Sequence, residues 1–94
     1  MQHTIQQEET GNKGVFFIEK DGTRAGEMTY SKAGDNMIII DHTEVSDSLR
    51  GTGAGKAMVL KAVEWARENN MKIMPLCPFA NSVFKRNVDL RDVL

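Results

Sequence analysis

Three glycines at alternate positions, Gly51, Gly53 and Gly55, separate an apolar strand-like run from an amphipathic helical stretch. That junction constrains the fold more than any other feature. Met37 to Val45 contains Met37-Ile38-Ile39-Ile40 and predicts a strand, buried on both faces and hence central. From about Ala54 to Asn69, Met58, Val59, Ala62, Val63, Trp65 and Ala66 recur at helical spacing, with Lys61, Glu64, Arg67 and Glu68 facing outward. At 1.5 Å per residue this helix is roughly 24 Å long, enough to cross a small sheet. Lys72-Ile73-Met74-Pro75-Leu76 reads as a short strand. Strand, helix and strand in that order imply a crossover, and crossovers join parallel strands.

Upstream, the pattern is that of hairpins. Thr4 to Glu9 is a weak, mostly polar strand suited to an edge, and Val15 to Lys20 is a stronger one. Lys20-Asp21-Gly22-Thr23 is a two-strand turn signal. Arg24 to Ser31 follows, with Met28 and Tyr30 on one face. Lys32-Ala33-Gly34-Asp35-Asn36 makes another turn. Downstream of Cys77, Pro78 suits the first turn of a second helix, roughly Phe79 to Arg86. Val88 to Leu94 is either helical or loose. The expected fold is α+β: a mixed, mainly antiparallel sheet of about five strands, with one long helix and one or two short ones packed on it.

Ninety-four residues make one small domain, 1–94, with little room for a second core. The formal net charge of −1 argues against a general nucleic-acid binder, which carries a basic excess. No apolar run is long enough to span a bilayer, and no secretory leader is legible. A single cysteine excludes an internal disulfide and fits a reducing compartment. With two histidines it is a poor set for structural zinc. A soluble, cytoplasmic protein without a metal, a membrane partner or a nucleic-acid partner is the expectation.

The glycine loop reads as an anion site, and three versions compete. A nucleotide P-loop needs glycine at position 50 and a hydroxyl at 57, where Arg50 and Ala57 stand. A dinucleotide fingerprint starts at Gly51-Thr52-Gly53 but meets Lys56 where its third glycine belongs. The third version fits. Arg50-Gly51-Thr52-Gly53-Ala54-Gly55 is R-x-x-G-x-G between a strand and a helix, so backbone N–H groups and the helix dipole converge on one anion. Gly53 and Gly55 are expected to admit a diphosphate where a Cβ would block it. Lys56 and Arg50 add positive charge. A plain glycine-rich turn capping a helix is the bland alternative.

On these residues the chain resembles the GNAT superfamily of acyl-CoA N-acetyltransferases. It is especially similar to the short YjdJ-like branch, through His42-Thr43, the R-G-x-G-x-G loop and Cys77-Pro78-Phe79. The resemblance runs from about Val15 to Leu94. It implies acetyl-CoA as cosubstrate, with the pyrophosphate on the amides of Arg50, Gly51, Thr52, Gly53, Ala54, Gly55 and Lys56. It also implies a pantetheine arm between two splayed strands, those ending at Val45 and Leu76, and a thioester carbonyl accepting from an amide near Val45. Two features depart from the superfamily. Early helices and late strands that build its substrate pocket have no counterpart here. The only tyrosine, Tyr30, is on an early strand rather than the last helix.

Candidate chemistry centres on Cys77 and His42. Cys77, at a helix N-cap, would accept the acetyl group or return a proton to the CoA thiolate; an inert buried thiol and a redox sensor are the other readings. His42 has a pKa suited to general base work and is expected on the face of Ile38, Ile40 and Glu44; a satisfied core histidine is equally open. Glu44 or Glu27 would relay an amine proton through water. His3 is expected to be exposed, Asp41 to be a structural hydrogen-bonder on the other face, and Trp65 to be core or rim. Lys85 and Arg86 meet a nucleotide phosphate of CoA or form a solvated face. The leading reading is an acetyl-CoA-dependent N-acetyltransferase acting on an unidentified amine. The alternatives are a CoA-binding sensor or interaction module without catalysis, and a plain interaction domain. Neither the acceptor nor the oligomeric state is written in the sequence.

Overall fold

Asp21 and Gly22 both adopt positive φ, 54° and 78°, between the paired residues Lys20 and Thr23. That is the two-residue turn whose twist matches its flanking strands. It joins β2 (Lys13–Lys20) to β3 (Thr23–Ala33). The computed structural model describes residues 3–94. Its other strands are β1 (Gln6–Thr10), β4 (Met37–Val45) and β5 (Lys72–Pro75), and its helices α1 (Ala54–Glu68) and α2 (Pro78–Arg86). Short 3-10 turns cover Asp47–Leu49 and Val88–Val93. The five strands lie side by side in the order β1-β2-β3-β4-β5. Their first three junctions are antiparallel, and β4–β5 is parallel, as the crossover through α1 requires.

Phe16, Ile18, Met28, Tyr30, Ile38, Ile40 and Ile73 form one apolar sheet face, buried with Met58, Val59, Ala62, Val63 and Ala66 of α1. Ala80, Val83 and Phe84 of α2 join the same core. Trp65 sits at its rim, 6.2 Å from the Phe16 ring and 5.9 Å from that of Tyr30. The expectation that β4 is buried on both faces does not hold. Ile38 and Ile40 are buried, whereas Met37 and Ile39 are only half-buried. Among the described residues no element is layered over that second face. There, Phe17 is shielded by the Arg24 guanidinium, 3.9 Å from its ring centroid.

One irregularity decides the geometry of the site. Opposite β3, Thr29 pairs with His42 and Tyr30 with Ile40, leaving Asp41 as an extra residue in β4. Such a bulge inverts the alternation of every side chain beyond it. Thr43 and Val45 therefore continue the core-side row of Ile38 and Ile40. His42 shares the outer face with Glu44, its expected companion, but not with the two isoleucines. Asp41 accepts a hydrogen bond from Ser31 Oγ at 2.6 Å, the structural role expected of it, though the bulge leaves it on the same side as His42. The tail is helical rather than loose. Arg67 Nη2 lies 2.7 Å from Asp92 Oδ1 and holds the last 3-10 turn against α1.

Candidate active site

Thr52, two residues before α1, offers its hydroxyl elsewhere instead of capping the helix. Thr52 turns its N–H and its Oγ1 onto Leu49 O, at 3.2 and 2.6 Å. The cap residue is Gly53, left-handed at φ 81°, and no side chain bonds the first helical amides. The first helical bond runs from Ala57 N to Gly53 O at 2.9 Å. The N–H groups of Ala54, Gly55 and Lys56 thus precede the ladder and stay available. They border a cleft of about 400 Å³ whose other walls include Thr43, Val45, Leu49, Arg50 and Phe79. Converging amides at the positive end of a helix suit a diphosphate. A Cβ on Gly53 would meet no atom within 4 Å, so a ligand has that space to itself.

Gly55 serves a different purpose from the one expected. A Cβ there would stand 2.6 Å from Phe79 Cζ, so this glycine makes room for an aromatic ring of α2 rather than for a phosphate. Arg50 is largely exposed, with its Nε 3.1 Å from Asp47 Oδ1 at the rim. Among the described residues, Lys56 has no carboxylate within 4 Å. Lys85 and Arg86 occupy the exposed last turn of α2, outside the cleft lining.

The two parallel strands separate beside this loop. Their register ends at Ile40 and Pro75, which has no N–H to offer. Leu76 N then folds back onto Met74 O, and Cys77 N donates to Ile40 O, both at 3.1 Å. From Asp41 onward, β4 keeps an unpaired edge. Ser46 N donates across to Ala25 O at 2.7 Å. Successive amides of a strand alternate in direction, so the Val45 N–H points the other way, into the gap.

Cys77 closes the gap. It is 5% exposed, at the N-cap of α2. Its Sγ lies 3.4 Å from Thr43 Oγ1. Burial pushes the thiol pKa up. Hydrogen bonds with the Thr43 hydroxyl and with backbone groups of Ala80, Phe79 and Thr43 outweigh it and hold the thiol below its ordinary value. His42 is exposed on the opposite face, its Nε2 4.0 Å from Glu44 Oε1. Tyr30 is fully buried and its hydroxyl donates a hydrogen bond to Glu9, so it is no free acid. The loop, Val45 and Cys77 come together on one side of the sheet, and His42 lies on the other. Thr43 and Phe79 are parts of the site that the sequence reading left without a role. The bulge brings in Thr43, and the packing on Gly55 brings in Phe79.

A family profile described as GCN5-related N-acetyl-transferase matches residues 15–93. The chain belongs to that family. A GCN5-like N-acetyltransferase candidate from Staphylococcus aureus, solved by NMR, is 39% identical. It superposes with a TM-score of 0.71 over 94% of this chain and 85% of that one. A candidate streptothricin acetyltransferase from Bacillus anthracis, crystallised with acetyl coenzyme A, is 27% identical with a TM-score of 0.57. The match covers 70% of this chain and 39% of that longer one. Protein NATD1 of Gallus gallus is 26% identical over 84 residues, 88% of this chain and 76% of the relative. The GCN5-related family is one of acetyl-CoA-dependent acyltransferases, and the mostly antiparallel five-stranded α+β sheet with helices packed on it is the family's fold.

Proposed function

We propose that the protein binds acetyl-CoA in the cleft beside α1 and transfers the acetyl group to an amine, with Cys77 taking part. The observation that carries this is the set of uncapped amides at Ala54–Lys56 bordering a cleft whose wall residue Thr43 holds the Cys77 thiol at 3.4 Å. The diphosphate would rest on the Arg50–Lys56 loop, with Lys56 and Arg50 adding charge. The thioester carbonyl would accept from Val45 N–H, which stabilises the oxygen as it gains negative charge. The crystallised relative from Bacillus anthracis holds acetyl-CoA, which supports the same ligand here. Cys77-Pro78-Phe79 together with His42-Thr43 favours the short YjdJ-like branch.

In this reading the Cys77 thiolate attacks the thioester carbon, the C–S bond to CoA breaks, and the acetyl group rests on Sγ. A neutral amine then attacks that carbon and Sγ departs. The amine's proton passes to a base: Glu44 and His42 are adjacent on the outer face, where an acceptor reaches the unpaired β4 edge. In the simpler course the amine attacks acetyl-CoA directly and Cys77 gives its proton to the CoA thiolate. Incubation with acetyl-CoA, followed by intact-mass and peptide analysis, separates the two. One acetyl mass on Cys77, absent in Cys77→Ser, marks the covalent course. Its rate rises with pH and levels off earlier than for a free cysteine, because the thiolate forms earlier. Turnover of an amine panel without an adduct marks the direct course. Binding with neither result removes the enzyme reading and leaves a CoA-binding module.

A further inference from the structure

We infer that His3 positions the diphosphate loop by holding the Thr52 carbonyl, which aims the Gly53 N–H into the cleft; this rests on the acetyl-CoA reading above. His3 is half-buried, not exposed as its position in the sequence suggests. Its Nε2 lies 3.2 Å from Thr52 O. A carbonyl only accepts, so Nε2 must carry the proton, in the neutral ring or the cation. Two residues on, Ile5 packs against the core and fixes the course of this segment.

The Thr52–Gly53 peptide is planar and trans, so its C=O and N–H point in opposite directions. The other groups of Thr52 are already committed to Leu49 O. Only the rotation of this one peptide plane is left to set. Glycine at φ 81° resists that rotation less than any other residue would. A hydrogen bond from His3 removes the freedom and turns the Gly53 N–H away from His3, to the side where Ala54, Gly55 and Lys56 present theirs. His3 makes no contact with the cleft lining's ligand space in this scheme. It is a positioning residue, acting through Thr52.

The test compares wild type with His3→Ala and His3→Gln by acetyl-CoA titration, steady-state kinetics with a responsive amine and ¹⁵N NMR. In the ligand-free protein His3→Ala should move the Gly53 amide resonance. It should weaken acetyl-CoA binding about three- to tenfold, the worth of one net hydrogen bond. KM for acetyl-CoA should rise with kcat unchanged, since the amide contact is made before and during reaction alike. His3→Gln, whose amide can donate to the same carbonyl, should recover most of the affinity. Unchanged affinity in His3→Ala overturns the inference while leaving the acetyl-CoA reading intact. So does an equal loss in both variants accompanied by a lowered Tm, which is a folding defect. A wild-type protein that binds no acetyl-CoA overturns both.

Discussion

Two glycines show how the same substitution separates structure from function. A Cβ on Gly14 would stand 2.2 Å from Cζ of Tyr30, whose ring is completely buried and has nowhere to go. A Cβ on Gly55 would stand 2.6 Å from Cζ of Phe79, the far end of a half-exposed side chain. Gly14→Ala should therefore cost about 1–3 kcal/mol of overpacking. At about 4–8 °C per kcal/mol for a domain of this size, that is visible in any melting curve. Gly55→Ala gains about 1 kcal/mol of helix propensity, which offsets the displacement of a ring that can swing out. Its Tm should stay near that of the wild type while acetyl-CoA affinity falls, because Phe79 leaves the cleft wall. Thermal melts beside a titration check this, and a Gly55→Ala protein with full affinity would mean that Phe79 does not shape the site. The loop itself was legible from R-x-x-G-x-G, since its spacing is local. Phe79 was not legible as a wall, because its partner lies 24 residues earlier and only the packing of α2 on α1 brings them together.

At the scale of elements, β1 is the least anchored strand, with every residue exposed. On its outer face Gln6 reaches Glu19 and Glu8 reaches Arg24; on the core side Gln7 and Glu9 are held in one cluster. Gln7 Nε2 donates to the Tyr30 hydroxyl at 2.7 Å, that hydroxyl donates to Glu9, and Lys32 Nζ lies 2.8 Å from the same carboxylate. Burial pushes the Glu9 pKa up, but the bonds from Lys32 and Tyr30 outweigh it and leave it below the ordinary 4.5. Its share of stability is thus complete above pH 4.5 and disappears as pH falls through the lower folded value. Burial first, and then the bond to Glu9, push the Tyr30 phenol above its ordinary 10.0. Its share is complete below pH 10.0 and is lost as pH climbs through the raised value. Tyr30→Phe should cost about 1 kcal/mol and release β1 before the rest of the sheet. Amide exchange near neutral pH reads this directly: faster exchange confined to Gln6–Thr10 and its β2 partners agrees, and uniform acceleration contradicts it. The elements themselves were largely legible. β4 occupies Met37–Val45 as its apolar run marks it, and α1 starts at Ala54 as its periodicity marks it. The bulge at Asp41 was not legible. An inserted residue has no compositional signature and exists only in the pairing with β3, so strict alternation puts His42 on the wrong face and gives Thr43 no place in the site.

The whole molecule is small enough for its ligand to matter to its stability. A domain of 94 residues has a sheet covered on one face and buries roughly two-thirds of its unfolded surface at most. Its margin belongs near the lower end of the usual range of about 5–15 kcal/mol. Within that margin it maintains a helix start with uncapped amides, next to the cations Lys56 and Arg50. Partial and full positive charges gathered at one point repel one another until an anion settles there. A ligand that binds only the folded chain adds about 2.7 kcal/mol at a hundredfold excess over its Kd. For this size the corresponding rise in Tm is on the order of 10–20 °C. Acetyl-CoA should thus raise the melting temperature steeply and in a concentration-dependent way. Lys56→Glu should flatten that response without lowering the Tm of the free protein, because it places an acidic side chain in the first turn, where the dipole favours it. The two effects have opposite signs in one side chain, so a fold defect cannot imitate them. A Lys56→Glu protein that melts lower when free, yet responds fully to acetyl-CoA, would place the diphosphate somewhere other than the start of α1.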